Sequence, residues 1–283
     1  MSDPVPAITE AAAGGEVAEI FADIRQVLGV GVVNLIWRHL ATHPGALPWV
    51  WGTLRPLYVD GSIGAEAAAL RGALALPELP PLPAEALAAA GLSDLDIEAI
   101  RNVLAAYDRT NAMALIALSA ALSRLDGAAG ASAAGSREMS AARPPAALPL
   151  PSLLNLADMS PTTAELVLML NHLGTRQGDP VLASMYRHLA HWPPYLALAW
   201  TIIAPLDADG RLGRAIADAV AKARAGAARI VARLPPLSDA APEPVAYAAI
   251  CEALERFTGD VIAKMVVICA LLRRQVAAFE RSQ

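Results

Sequence analysis

Aromatic residues are scarce in this sequence, at 5% of 283 residues, and runs of β-branched residues are short. Strands are enriched in both residue types, so their scarcity argues against a β-sheet. Cysteine is scarcer still, since Cys251 and Cys269 are the two thiols of the chain. They lie 18 residues apart in one predicted helix, or about 27 Å, which excludes a disulfide between them. Reduced thiols are typical of the cytoplasm, and we expect this location.

Long uninterrupted hydrophobic runs are also missing, although hydrophobic residues make up 55% of the chain. A membrane-spanning helix needs about 20 apolar residues. Asn111 and Arg124 bound the apolar run between them, and Lys264 interrupts the run at 261–272. We therefore predict buried core helices and no membrane association, with the Lys264 ammonium reaching solvent. The first residues lack the basic and apolar regions of a signal peptide, so none is expected.

Basic residues form no cluster along the chain, whose formal net charge is −5. Nucleic acid is therefore not an expected partner. The Gly-rich nucleotide-binding patterns and the GxSxG pattern of serine hydrolases do not occur. The chain has five histidines and no HExxH pattern. We accordingly expect neither a metal ion nor an organic cofactor.

The most prominent features of the sequence are its alanine content and an internal repeat. Alanine loses no side-chain entropy in a helix, so a chain this rich in alanine is predicted to be all-α. The segment from Trp37, WRHLATHPGALPWVWGTLRPLYVDGSIG, matches the segment from Tyr186, YRHLAHWPPYLALAWTIIAPLDADGRLG, at an offset of 149 residues. Further along, Tyr107 aligns with Phe257 at an offset of 150.

The repeat predicts two tandem helical units, at 1–125 and 152–283. The linker between them, at 126–151, is rich in Ala, Gly, Ser and Pro. Two like units should pack about an approximate twofold axis and form a pseudo-dimer. A true homodimer of the chain is left open. A pocket at the interface between the two units, the seam, is symmetric at first and becomes asymmetric as the two copies diverge. We therefore look for functional residues at positions where the copies differ.

Two such pairs stand out, Ile36 against Met185 and Asn111 against Val261. Asn111 opens an apolar run, where a buried amide needs a partner because leaving it unbonded costs on the order of 2 kcal/mol. Either nearby backbone or a bound water or substrate could supply that partner.

Helix boundaries follow from proline, glycine and capping residues. Thr162 and Glu165 have the spacing of a capping box. Asp-Gly pairs at 60–61 and 209–210 are predicted to be turns between helices. The main helices are predicted at 17–28, 95–123, 162–173 and 244–279.

Four segments together carry a family resemblance: EIFADIRQVLGV, WRHLATHPGALPWVW, DIEAIRNVLAAYDRTN and ASMYRHLAHWP. In this order and spacing they resemble the group I, or D,L-, 2-haloacid dehalogenases. That family is all-helical and pseudo-dimeric, and is distinct from the Rossmann-like haloacid dehalogenase superfamily. The resemblance implies direct hydrolysis, in which an aspartate of the second half activates a water that displaces halide from C2. It also implies an asparagine that positions the water and a substrate carboxylate held between the halves.

Carried over to this chain, the resemblance places Asn111 at the water-positioning asparagine. The residue before Tyr186 should be the aspartate, but this sequence reads Ser184-Met185-Tyr186. A thioether has no titratable proton and accepts hydrogen bonds weakly, so Met185 cannot act as a general base. The predicted substrate-binding residues are Met185, Ser184, Tyr186, Val32 and Ile36.

Three functions remain open at this stage. The first is an enzyme of the dehalogenase fold with altered chemistry on a small acid. The second is a non-catalytic binding protein for a small hydrophobic or carboxylate ligand. The third is a working 2-haloacid dehalogenase, a hydrolase of carbon–halogen bonds, whose base has moved. Asp108 is then the first candidate, because it lies three residues before Asn111 on one helix; Asp179 and His188 follow.

Overall fold

The computed structural model describes residues 5–127, 150–176, 178, 180–234 and 243–276. Within these ranges the chain forms helices and no strand, which confirms the predicted all-α fold. Asp179 and most of the predicted linker, residues 128–149, lie outside the described residues. The division into two homologous units remains a prediction from the repeat.

The α-helices of the described residues number twelve. The first six are α1 (Gly15–Leu28), α2 (Leu35–Leu40), α3 (Ala46–Val59), α4 (Ser62–Ala73), α5 (Ala84–Ala89) and α6 (Asp94–Leu125). The other six are α7 (Pro161–His172), α8 (Ser184–Leu189), α9 (Pro193–Ala208), α10 (Arg211–Val231), α11 (Pro244–Arg256) and α12 (Ile262–Gln275). In the part of the chain that the structure describes, no helix is long and apolar enough to cross a membrane.

Helix starts follow from local sequence signals. Helix α6 begins at a capping box in which the Ser93 hydroxyl and the Asp96 carboxylate each accept from the other residue's backbone N–H. The predicted Asp-Gly turns are present. Gly61 and Gly210 precede α4 and α10 with φ of 81° and 77°, a left-handed conformation that costs glycine little.

The capping box predicted at Thr162 and Glu165 is wrong. Helix α7 begins one residue earlier than predicted, with Pro161 at its first position, where a missing N–H costs nothing. Ser160 is the N-cap, and its hydroxyl accepts from the backbone N–H of Thr163. The helix nevertheless covers the predicted segment.

Helix α6 forms the centre of the fold. It has 32 residues and is about 48 Å long. It packs most extensively against α12, α10 and α4. Every residue from Asn111 to Ala121 is buried, as expected of a helix that is surrounded by other helices. Polar groups on this stretch therefore face either a protein partner or an internal cavity.

The last predicted helix differs from the expectation of one unbroken α-helix at 244–279. Helices α11 and α12 are joined by a π-helical segment, Phe257–Val261, and α12 ends at Gln275. Residues 277–279 of the predicted helix lie outside the described residues. Single π turns inside α-helices are rare and often occur at functional sites.

The expectation that Lys264 reaches solvent is also wrong. Its side chain is 0% exposed, and Nζ donates to the carbonyl of Asn171 at 2.6 Å and to Oγ1 of Thr175 at 2.7 Å. Burial lowers the pKa of Lys264 to about 8, against an opposing effect from the carboxylates of Asp260 and Asp207. Lys264 thus ties α12 to the end of α7 and the loop that follows it.

Candidate functional site

An internal cavity of about 50 Å³ lies where helices from both parts of the chain meet; we call it the central cavity. Roughly 10–15 Å³ is enough for one water, so a small molecule of several non-hydrogen atoms fits. Twelve residues line it: Asn34, Leu35, Ile36, Tyr107, Asn111, Ala183, Ser184, Met185, Phe257, Val261, Ile262 and Met265.

Five structural elements position this lining. The first turns of the short helices α2 and α8 supply Ile36 and Met185. Helix α6 supplies Tyr107 and Asn111, which are four residues apart and so lie on one face. The π-helical segment supplies Phe257, and α12 continues the same wall. The irregular turn of the last helix is therefore part of the cavity.

Most lining residues fall into pairs that the repeat alignment relates. The pairs are Asn34 and Ala183, Leu35 and Ser184, Ile36 and Met185, Tyr107 and Phe257, and Asn111 and Val261. The two members of every pair are different residue types, which is the pattern expected of a diverged pocket at a seam. The cavity brings together five residues singled out in the sequence: Ile36, Asn111, Ser184, Met185 and Val261.

Met185 and Asn111 are linked by the thiol of Cys269. The Cys269 thiol donates to Sδ of Met185 at 3.0 Å, and Nδ2 of Asn111 donates to Sγ of Cys269 at 3.6 Å. All three side chains are buried. Burial raises the pKa of the Cys269 thiol, which stays protonated and is no nucleophile at neutral pH. The Asn111 amide thus donates to sulfur, which is a weak acceptor. A ligand oxygen in the cavity would be a stronger acceptor for the same N–H.

Tyr107 connects the cavity to a buried histidine behind it. Its Oη lies 2.9 Å from Nδ1 of His188, whose side chain is 0% exposed. Burial raises the pKa of Tyr107 above its ordinary value of 10 and lowers the pKa of His188 to about 4. Both groups are therefore neutral at pH 7.

Acid should destabilise the protein through His188. Between pH 6.5 and about 4 the unfolded chain binds a proton that the folded chain does not. The free energy of unfolding therefore decreases as the pH is lowered through this window. The loss amounts to about 3 kcal/mol. We expect a His188→Gln variant to lose much less stability across this window, measured by urea unfolding at each pH. His172→Gln, at an exposed position, is measured alongside as the comparison variant. Equal slopes for the parent and His188→Gln would contradict the assignment.

Two predicted substrate-binding residues do not line the central cavity. Val32 lines a smaller neighbouring cavity of about 20 Å³ that shares Asn34, Tyr107 and Ser184 with it. Tyr186 is fully buried, and its hydroxyl has no hydrogen-bond partner among the described residues. Their contribution to binding stays a prediction.

Asp108 also lies away from the central cavity. It is 3% exposed and lines a separate cavity of about 480 Å³. Its Oδ2 accepts from Nη1 of Arg273 at 2.7 Å and from Nη1 of Arg71 at 3.1 Å. Three residues along a helix correspond to about 60° around its axis, enough for Asp108 and Asn111 to open into different cavities.

The chain is similar in sequence to 2-haloacid dehalogenases. A configuration-inverting 2-haloacid dehalogenase of Alcaligenes xylosoxydans xylosoxydans is 28% identical over 230 residues, which cover 79% of this chain and 77% of the relative. An (R)-2-haloacid dehalogenase of Pseudomonas putida is 30% identical over 111 residues, or 37% of each chain. No family model matches the sequence.

Solved structures show the same fold. A D-2-haloacid dehalogenase mutant aligns with a TM-score of 0.81 at 20% identity, covering 97% of both chains. In sequence and in fold the chain thus resembles the 2-haloacid dehalogenases. A complex of D-2-haloacid dehalogenase with L-LA aligns with a TM-score of 0.78 at 20% identity, again over 97% of both chains. The dehalogenase fold therefore extends over nearly the whole chain.

Some lining residues of the central cavity were missed in the sequence. Tyr107, Asn34 and Phe257 are the polar and aromatic examples. The signal that finds them is the repeat itself, because Tyr107 against Phe257 is a differing pair one turn before Asn111 against Val261. Within the described residues no group of three or more His, Cys, Asp or Glu side chains could hold a metal ion.

Proposed function

We propose that this dehalogenase-family protein binds a small 2-substituted acid in the central cavity and does not hydrolyse it by the family's direct route. The proposal rests on one observation: none of the twelve described residues that line the cavity has a carboxylate or an imidazole. A general base has to lie within hydrogen-bond reach of the water whose proton it takes. At the position that the resemblance assigns to the base, the cavity has the thioether of Met185.

The two sides of the cavity suit the two ends of such a ligand. Phe257, Val261 and Met265 form an apolar wall for a short hydrocarbon body. On the other side Asn111 and Tyr107 offer an amide and a hydroxyl. Neutral donors of this kind hold a carboxylate or its protonated form, and the amide gains a stronger acceptor than its present sulfur. The adaptable thioethers of the lining suit a range of small apolar substituents.

Neither relocated-base candidate within the described residues serves this cavity. Asp108 lines another cavity, and its carboxylate is engaged by two guanidinium groups. His188 is not one of the described lining residues and hydrogen-bonds to Tyr107 of the lining, and its pKa of about 4 makes it a weak proton acceptor at pH 7. The proposal therefore assigns proton abstraction to neither residue.

Titration calorimetry with each enantiomer of 2-chloropropionate, with chloride release measured in the same samples, tests the proposal. We expect one-to-one binding and no chloride above the rate in buffer. An Asn111→Leu variant should bind about 10-fold more weakly, because a charge-assisted hydrogen bond is lost. The matched control is Gln26→Leu, which removes an exposed amide on α1 and should bind like the parent. Chloride release at an enzymatic rate, or no binding at all, would refute the proposal.

Cellular location and assembly are part of the same proposal. We place the protein in the cytoplasm, which the free state of both Cys251 and Cys269 supports. In this proposal the protein binds a small-molecule ligand and does not bind nucleic acid. Association into a homodimer stays a prediction to be tested by light scattering.

A further inference from the structure

Folding gathers arginines that are scattered in the sequence into one cleft. A cavity of about 480 Å³ is lined by Arg71 from α4, Arg101 from α6, and Arg273 and Arg274 from α12; we call it the arginine cleft. These four belong to a chain that has 22 basic and 27 acidic residues. The concentration of one sign of charge in a single concave surface focuses an electrostatic field there.

One carboxylate offsets only part of this charge. Among the described residues of the lining, Asp108 is the acidic one, and it pairs with Arg71 and Arg273. Arg101 donates from Nε to the carbonyl of Val276. The described lining thus contains four guanidinium groups and one carboxylate.

Arg274 is the group that is most available to a ligand. Its side chain is exposed, and within the described residues it has no hydrogen bond or ion pair. It lines both the arginine cleft and an adjoining cavity of about 470 Å³, to which Glu78 contributes. Among the described residues that line these two cavities, the acidic ones are Asp108, which is already paired, and Glu78.

The repeat alignment shows that three of these charges occur in one copy only. Arg101, Asp108 and Arg273 align with Cys251, Thr258 and Ser123, whereas Arg274 aligns with another arginine, Arg124. The salt bridge between Asp108 and Arg273 therefore has no counterpart at the repeat-related positions.

We infer that the arginine cleft is a second ligand site, for a small polyanion such as a polycarboxylate or a phosphorylated metabolite. Guanidinium groups present planar pairs of donors that match carboxylate and phosphate oxygens. The volume lies in the range of small-molecule sites. The site is separate from the central cavity and shares no lining residue with it.

Calorimetric titration of the full chain with citrate and with pyrophosphate, at constant ionic strength, tests this site. We expect saturable binding of at least one anion. The tighter of the two identifies the ligand as polycarboxylate or phosphorylated. An Arg274→Gln variant should bind about 10-fold more weakly, and the Arg273→Gln, Arg274→Gln double variant about 100-fold more weakly, because each charged hydrogen-bond donor is lost.

The control is Arg224→Gln, which removes an exposed arginine of α10 outside the cleft and should bind like the parent. The melting temperature of Arg274→Gln should match that of the parent, since Arg274 has no partner among the described residues. Absence of binding to both anions would overturn the inference. So would equal weakening by Arg224→Gln, which would show an unspecific charge effect.

Discussion

Replacing Met185 with aspartate should raise chloride release from 2-chloropropionate by about 10²- to 10⁴-fold over the parent protein. The substituted position lines the central cavity with Asn111, Tyr107 and Ser184, so the new carboxylate would face the polar groups to which the proposed function assigns the ligand. The new carboxylate supplies the proton acceptor that the thioether lacks. Chloride release is measured with each enantiomer at saturating acid.

The surroundings of Met185 also predict how this gain depends on pH. The side chain is 1% exposed and contacts the thiol of Cys269. A carboxylate in such a site has a raised pKa, because burial penalises its charged form. The rate should therefore rise with pH as the carboxylate loses its proton. Met185→Asn, which has the same shape and no charge, is the matched control. Equal rates for Met185→Asp and Met185→Asn would show that a base alone does not restore hydrolysis.

Replacing the buried Lys264 with methionine should change how stability depends on pH. The pKa of Lys264 is lowered from its ordinary value of 10.5 to about 8 in the folded protein. From pH 8 to 10.5 the unfolded chain holds a proton that the folded chain has released, so the parent gains stability as pH rises. The gain is about 3 kcal/mol relative to Lys264→Met, which has nothing to titrate at this position.

Guanidinium chloride unfolding of both proteins at several pH values from 7 to 11 measures the difference. Groups that titrate alike in the two proteins cancel in the comparison. Lys222→Met, which removes a half-buried ammonium that pairs with Asp218 on α10, is measured alongside as the comparison variant. If the difference in free energy of unfolding between the parent and Lys264→Met is the same at every pH, the lysine is solvated, as the sequence predicts.

Much of the fold could be predicted because its signals are local. Alanine content indicates helix, and the Asp-Gly turns before α4 and α10 require glycine at a positive φ. The cap of α7 was misplaced because Ser160, Thr162 and Thr163 all have hydroxyls suited to capping. The π-helical segment has no such specific signal, because Thr258, Gly259 and Asp260 are weak helix formers but do not distinguish a π turn from a loop.

The site could be predicted where the repeat carried the information. Ile36 against Met185 and Asn111 against Val261 were found as differing pairs, and all four residues line the central cavity. Asp108 was grouped with Asn111 from spacing alone. Spacing gives the angle between two side chains on a helix, but not which neighbouring helix closes over each of them.

Long-range contacts account for the remaining errors. Lys264 lies in an apolar run, so the sequence pattern suggests that its side chain extends outward to water. Its partners are the carbonyl of Asn171 and the hydroxyl of Thr175, at the end of a helix about 90 residues away. The same region positions the site, because Oδ1 of Asn171 accepts from the N–H of Ala183, the residue before α8. Such contacts depend on the assembled fold.

The central claim is that a small 2-substituted acid occupies the cavity between Asn111 and Met185 and keeps its carbon–halogen bond. A crystal of the parent protein soaked with 2-bromopropionate, with data collected at the bromine absorption edge, tests it most directly. The account predicts an anomalous bromine peak inside the central cavity, joined to continuous density for the intact acid. A hydroxy acid in the cavity with free bromide elsewhere, or bromine bound only outside the cavity, would contradict it.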